Sequence, residues 1–186
     1  MTSKVHLPSL FIKDFRGIRS LEINNLGRVT LLAGKNSIGK TTILEAIRVF
    51  ASRGNGHTIL NLLNTREEFF RGEDEDGDQV LFPDFSSLFY GYNPEDENSL
   101  PSPIQITTTQ RTPHKISLSL VEISDETQSE TLANENFHLN DFQVSVDNHT
   151  RTFPIIPFEY SHRTGFLDLD RLPTQKDGHQ PLLLNL

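Results

Sequence analysis

The run Gly34-Lys35-Asn36-Ser37-Ile38-Gly39-Lys40-Thr41 constrains this chain more than any other feature, because it matches G-x-x-x-x-G-K-[ST] in full. Its flanks change hydrophobic period. Before it, Val29-Thr30-Leu31-Leu32-Ala33 is a short apolar run enriched in β-formers, which predicts a strand buried on both faces. After it, Ile43, Ile47 and Phe50 recur on one helical face with Leu44 and Ala51 beside them. Glu45 and Arg48 are expected to point away from that face, and Gly54-Asn55-Gly56 to stop a helix running from Lys40 to about Arg53.

Strand, glycine-bearing loop and helix in this order predict a P-loop. The two glycines permit a tight turn whose backbone N–H groups face inward, and the helix N-terminus adds positive potential where phosphate would lie. Gly34, Asn36, Ser37, Ile38 and Gly39 are the candidate cradle. Lys40 is the candidate catalytic group, reaching the β- and γ-phosphates. Thr41 offers a hydroxyl to Mg²⁺, a cation that prefers oxygen ligands. Thr42 is a candidate for the α-phosphate. The expected cofactors are therefore ATP and Mg²⁺.

A guanine-reading motif needs Asn or Thr, then Lys, any residue, then Asp. Thr174-Gln175-Lys176-Asp177 has its Lys one position late, and Asp74-Glu75-Asp76-Gly77 lacks the apolar strand that precedes a D-x-x-G switch. Both features favour ATP over GTP. A small-molecule kinase would need an Arg-rich lid, whereas residues 57–97 offer only Arg66 and Arg71 among many acids.

Elsewhere the pattern is mainly β. Leu10–Phe15 and Ile18–Ile23 around Arg16-Gly17 predict a hairpin. The segments 104–110, 115–123, 142–146 and 150–156 are alternating or β-branched and separated by turn residues, as antiparallel strands would be. Thr58 to Phe70 reads as a second helix. Eleven acidic residues between Glu67 and Glu97, with Gly72, Gly77, Gly91 and Pro94 as breakers around one apolar island, Phe82 to Tyr92, read as an acidic insertion or mobile loop. The tail from Arg163 carries no assignable pattern.

With 186 residues the chain suits a single domain or one lobe of a larger one. The absence of cysteine excludes disulfides, thiolate zinc sites and thiol nucleophiles. No stretch nears the roughly 20 apolar residues that span a bilayer, and no secretory signal is evident, so a soluble cytoplasmic protein is expected. Charge is unevenly spread: residues 1–60 carry nine Lys or Arg against three Asp or Glu, while 61–186 carry eight against twenty-two. A basic N-terminal part suits polyphosphate, and the acidic remainder should repel DNA at long range.

The hairpin Leu10 to Ile18, the run before Gly34 and the helix Thr41-Thr42-Ile43-Leu44-Glu45-Ala46-Ile47 together resemble the N-terminus of AAA family ATPases of the SMC, RecF and OLD class. The resemblance is close over residues 1–53, departing at Ser37, where the family usually has Gly. It implies an α/β fold: the N-terminal lobe of an ABC-type ATPase head, with the P-loop strand and helix beside an antiparallel sheet. It also implies that Arg16, in the family's Phe-Arg element, lies near the nucleotide.

Such a head hydrolyses ATP with a Walker B strand and a signature acting in trans. Val121 to Glu126 carries a charge inside its run, and Leu182-Leu183-Leu184-Asn185 has Asn where Asp is required, so neither fits Walker B. Gln105, Gln110, Gln128 and Gln143 offer no pattern that selects the family's sensing Gln, and His162 and His179 lack the setting of its switch His. The C-terminal lobe is therefore expected to come from elsewhere. Family membership further implies a head-to-head homodimer or a complementing half, a nuclease partner, contact with DNA, and a role in DNA repair or antiphage defence. A non-catalytic nucleotide-sensing module is the alternative.

Overall fold

A computed structural model describes residues 7–35, 39–73, 79–93, 99–108, 114–121, 141–147 and 149–153. Asn36, Ser37 and Ile38 lie outside these residues, as do Asp74–Gly77, Gln110, Asp125-Glu126, Gln128, His162, Thr174–Asp177, His179 and Leu182–Asn185.

The expected antiparallel sheet is present. Strands β1 (Leu10–Phe15), β2 (Ile18–Ile23), β5 (Ile104–Thr107), β6 (Lys115–Val121), β7 (Asp141–Val146) and β8 (His149–Phe153) form it in the order β2-β1-β5-β6-β7-β8. Every pairing is antiparallel. Alternation fixes the register: Ile12 lies opposite Ile106, Ile106 opposite Ile116, and Ile116 opposite Val146, giving one apolar row across four strands. Leu118 faces Val144, and Leu120 faces Phe142, on the same side.

Two helices cover that apolar face. Helix α1 spans Lys40–Ala51 and α2 spans Gly56–Thr65, and their buried Ala46, Val49, Ile59, Leu62 and Leu63 share one core with the sheet. Asn55 caps α2, its side-chain oxygen accepting from the Thr58 N–H at 3.3 Å. Helix α1 ends as a Schellman turn, with Gly54 N–H donating to Val49 O and Arg53 N–H to Phe50 O. Both Arg53 and Gly54 have positive φ. At residue 54 glycine is also required by packing, because a Cβ there would sit 2.4 Å from Val144 Cγ1.

Three expectations change. The second helix stops at Thr65, and Phe70 instead belongs to β3 (Phe69–Glu73), which pairs with β4 (Gln79–Pro83) as a separate two-stranded arm. Within 67–97, expected to be an acidic insertion or mobile loop, lie this arm and a 3-10 turn at Phe85–Leu88. Val80, Phe82, Phe85, Leu88 and Phe89 are buried, and Phe85 stacks on Phe142 at a centroid distance of 4.3 Å. The apolar island from Phe82 to Tyr92 thus supplies buried anchors within the acidic stretch.

The second change concerns the roll of α1. Its buried stripe is Thr42, Glu45, Ala46 and Val49, while Ile43, Ile47 and Phe50 are only partly covered and Leu44 is exposed. Glu45, expected to face solvent, lies inside because two arginines neutralise it there.

The third change is at Val29–Ala33, which does not form a strand and pairs with no other described residues. Val29 is 92% and Leu31 87% exposed. β-Propensity alone cannot hold a strand without a neighbour to bond its backbone.

Candidate phosphate-binding loop

The site is built at the N-terminus of α1. Gly39 is the N-cap, with φ 75° and ψ 8°, a left-handed conformation that glycine adopts without steric cost. The carbonyl of Gly39 accepts the first intrahelical bond, from Ile43 N–H at 2.9 Å. Among the described residues no side chain caps this end, and no acidic residue stands in the first turn. The partial positive charge of the helix terminus is therefore left for an external anion.

Lys40 curls back across the loop mouth. Its Nζ donates to Gly34 O at 2.9 Å and to Lys35 O at 2.6 Å, so the ammonium bridges the entry of the loop to the helix that leaves it. Thr41 is exposed on the first turn, and Thr42 is buried one residue further. Thr41 can offer its hydroxyl outward, whereas Thr42 faces the core. An open helix terminus, an ammonium and a hydroxyl within two residues fit a polyphosphate carrying a hard divalent cation. Gly34 and Lys35 are exposed, and a Cβ at Gly34 would meet nothing within 4 Å.

Arg16 is placed differently from the site residues above. It occupies the β1–β2 turn at φ 51°, and its side chain is 6% exposed and directed inward. The guanidinium forks onto Glu68, with Nη2 donating to Oε2 at 2.8 Å and Nη1 to Oε1. Its Nε lies 2.9 Å from Glu45 Oε2, although that N–H is not aimed along a hydrogen bond. Arg66 completes the cluster, donating from Nε to Glu45 Oε1 at 2.8 Å and from Nη2 to Oε2 at 3.1 Å. Arg16 therefore meets α1 through Glu45, and no hydrogen bond or ion pair joins its side chain to Gly34, Lys35 or Gly39, the described residues of the loop before Lys40.

The hairpin nonetheless touches the site. A Cβ on Gly39 would lie 3.9 Å from Ile18 Cγ1, so β2 begins against the N-cap. Glu45, Arg66 and Glu68 were not legible as site neighbours, because their partners lie tens of residues away in sequence. Among the Gln candidates, Gln105 stands on β5, and Gln143 on β7 donates to Thr152 Oγ1 at 3.2 Å.

A glycine-rich loop feeding an uncapped helix beside an antiparallel sheet defines the N-terminal lobe of a P-loop nucleoside triphosphatase. The sequence profile of the AAA ATPase domain family matches residues 6–162, and the chain belongs to that family. It is 26% identical over 126 residues to an ATP/GTP phosphatase of Helicobacter pylori, a match covering 66% of this chain and 30% of that one. It is 44% identical over 48 residues to the DNA replication and repair protein RecF of Roseiflexus castenholzii, covering 26% and 12%. An uncharacterized protein of Methanocaldococcus jannaschii is 43% identical over 53 residues, covering 28% and 24%. The chain thus spans less than a third of the length of these curated relatives. No solved structure matches it. No helix among the described residues is long and apolar enough to cross a membrane.

Proposed function

We propose that this chain is the nucleotide-binding half of an ATPase head: it holds Mg-ATP on the P-loop and hydrolyses it once a second segment supplies the remaining catalytic groups. The observation that carries this reading is the apolar run leading into the loop. Val29 and Leu31 are almost fully exposed, and Leu44 on the adjoining helix is exposed too. An apolar, β-forming segment beside a phosphate site is a poor solvent-facing surface and a good partner for another strand. The relatives' greater length is a source for that strand.

The cradle from Gly34 to Gly39, Asn36, Ser37 and Ile38 included, would receive the phosphates through backbone N–H groups. Lys40 would leave its carbonyl partners for the β- and γ-phosphate oxygens, where its charge opposes the negative charge that develops during transfer. Thr41 would be the protein ligand of the Mg²⁺ that enters with the triphosphate, the ion neutralising phosphate charge. Thr42 reaches the α-phosphate only by turning out of its buried position. Water attack in line with the scissile bond needs a general base, for which the sequence offers no well-formed Walker B carboxylate.

The ATP/GTP phosphatase and RecF relatives favour ATP hydrolysis coupled to DNA metabolism, with antiphage defence a related outlet. Phosphate release measured with this chain alone, and again with a polypeptide carrying the rest of a relative's head, tests the reading. Saturable Mg-ATP binding without turnover by the chain alone, and turnover on mixing, is the expected result. Sustained turnover by the chain alone would refute the half-head. Binding with no turnover in any combination would favour a nucleotide-sensing module.

A further inference from the structure

We propose that Arg16 is a positioning residue for the phosphate-binding loop, acting through Glu45 to fix the roll of α1. The inference rests on the reading of Gly34–Thr41 as a nucleotide site and adds a residue that does not touch the nucleotide.

Arg16 is a junction. Its backbone N–H donates to Leu88 O at 2.7 Å, its fork holds Glu68 just before β3, and its Nε contacts Glu45 on α1. Glu45 is held from the other side by Arg66, which follows α2. Three segments distant in sequence thus meet in a cluster of two guanidinium and two carboxylate groups, formally neutral, with Arg16 and Glu45 side chains 6% and 7% exposed.

Stability does not account for such a cluster. Removing ions from water costs several kcal/mol each, and hydrocarbon side chains of similar volume often stabilise a core as well or better. Ionic forks supply direction, which hydrocarbon lacks. A packed leucine at position 45 would tolerate small rotations of α1, whereas a carboxylate forked by Arg66 and held 2.9 Å from the Arg16 guanidinium, itself fixed by its fork on Glu68, tolerates few.

Direction matters at this helix because Lys40 and Thr41 occupy its first turn, within about 8 Å along the axis of Glu45. Thr41 and Glu45 are four residues apart and so lie on nearby helical faces. Side-chain tips lie about 5–6 Å from a helix axis, so a roll of about 10° moves them by about 1 Å. Displacements of that size can cost up to about 100-fold at a site that reads geometry.

The test uses the full chain and Glu45→Gln, which keeps the shape of the side chain and removes its charge. Dissociation constants for Mg-ATP and Mg-ADP are measured at a temperature where both proteins are folded, alongside Tm. Glu45→Gln should weaken ATP at least tenfold and shrink the ATP-over-ADP preference, since contacts to the terminal phosphate depend most on the aim of Lys40. Arg16→Lys, which keeps the charge but loses the fork on Glu68, should behave in the same way. Arg48→Ala, on the same helix but bonded only to Asn61 among the described side chains, should leave both constants unchanged.

Should Glu45→Gln fail to fold, Arg66→Met decides, because Arg66 is one-third exposed and grips the same carboxylate from outside. A severalfold loss of ATP affinity there supports the proposal, and unchanged affinity overturns it. Folded Glu45→Gln with a lowered Tm and unchanged nucleotide constants also overturns it, leaving the cluster as packing alone. A wild type that binds neither nucleotide would instead sink the P-loop reading.

Discussion

Replacing Gly39 by Ala isolates the conformational demand of the loop from its sterics. The residue sits at φ 75°, ψ 8°, where an L-residue with a Cβ costs about 1–2 kcal/mol. The new methyl meets only Ile18 Cγ1 at 3.9 Å, an ordinary contact, so no clash adds to the dihedral cost. That cost can appear in two ways. If the fold holds the left-handed conformation, stability falls by about 1–2 kcal/mol and Tm by roughly 2–8 °C. If the loop relaxes instead, Tm holds and nucleotide affinity falls about 5- to 30-fold, the same free energy expressed at the site. The two losses together should equal about 1–2 kcal/mol. Gly39→Asn should show a smaller sum, because Asn enters this region more easily. Gly34→Ala, with open space at its Cβ, should leave Tm near wild type. Thermal unfolding by circular dichroism and titration with a fluorescent ATP analogue measure both parts. Wild-type Tm together with wild-type affinity in Gly39→Ala would refute the reasoning.

Other outcomes follow from the same structure. Gly54→Ala combines positive φ with a Cβ only 2.4 Å from Val144 Cγ1, a stiff β-branched neighbour, and should cost about 2–5 kcal/mol in urea unfolding. Val29→Ser with Leu31→Ser should change stability by less than about 0.5 kcal/mol, since both side chains are exposed, yet abolish stimulation by a complementing half. Asp147 is held below the ordinary carboxylate range, first by the backbone N–H of Lys115 and then by His114. Its contribution to stability is therefore present above the unfolded value and lost as pH falls through the lower folded one. Asp147→Asn should narrow its gap to wild type along an acid titration, and a gap independent of pH would contradict the assignment.

Local patterns carried far. Alternation located β1, β2, β5, β6, β7 and β8 to within a few residues, because each pairs with a sequence neighbour or lies beside one in the sheet. The P-loop motif located Gly39, Lys40 and Thr41 at a helix start. Long-range partners were what the pattern could not supply. Glu45 reads as a solvent-facing charge until Arg16 and Arg66 are brought to it, and the apolar island from Phe82 to Tyr92 is visible as such but not the Phe142 ring on which its Phe85 stacks. Val29–Ala33 shows the converse: its composition specifies a strand whose pairing partner is absent from the described residues.

Binding of Mg-ATP at the loop is tested most directly by titrating a fluorescent ATP analogue into wild type and Lys40→Ala. Lys40 contributes the ammonium that bridges Gly34 and Lys35, and its removal leaves those carbonyls without that donor. Saturable binding by wild type that Lys40→Ala abolishes, with both proteins folded by circular dichroism, is the predicted result. Equal binding by the two, or none by wild type, would contradict the assignment of the nucleotide site.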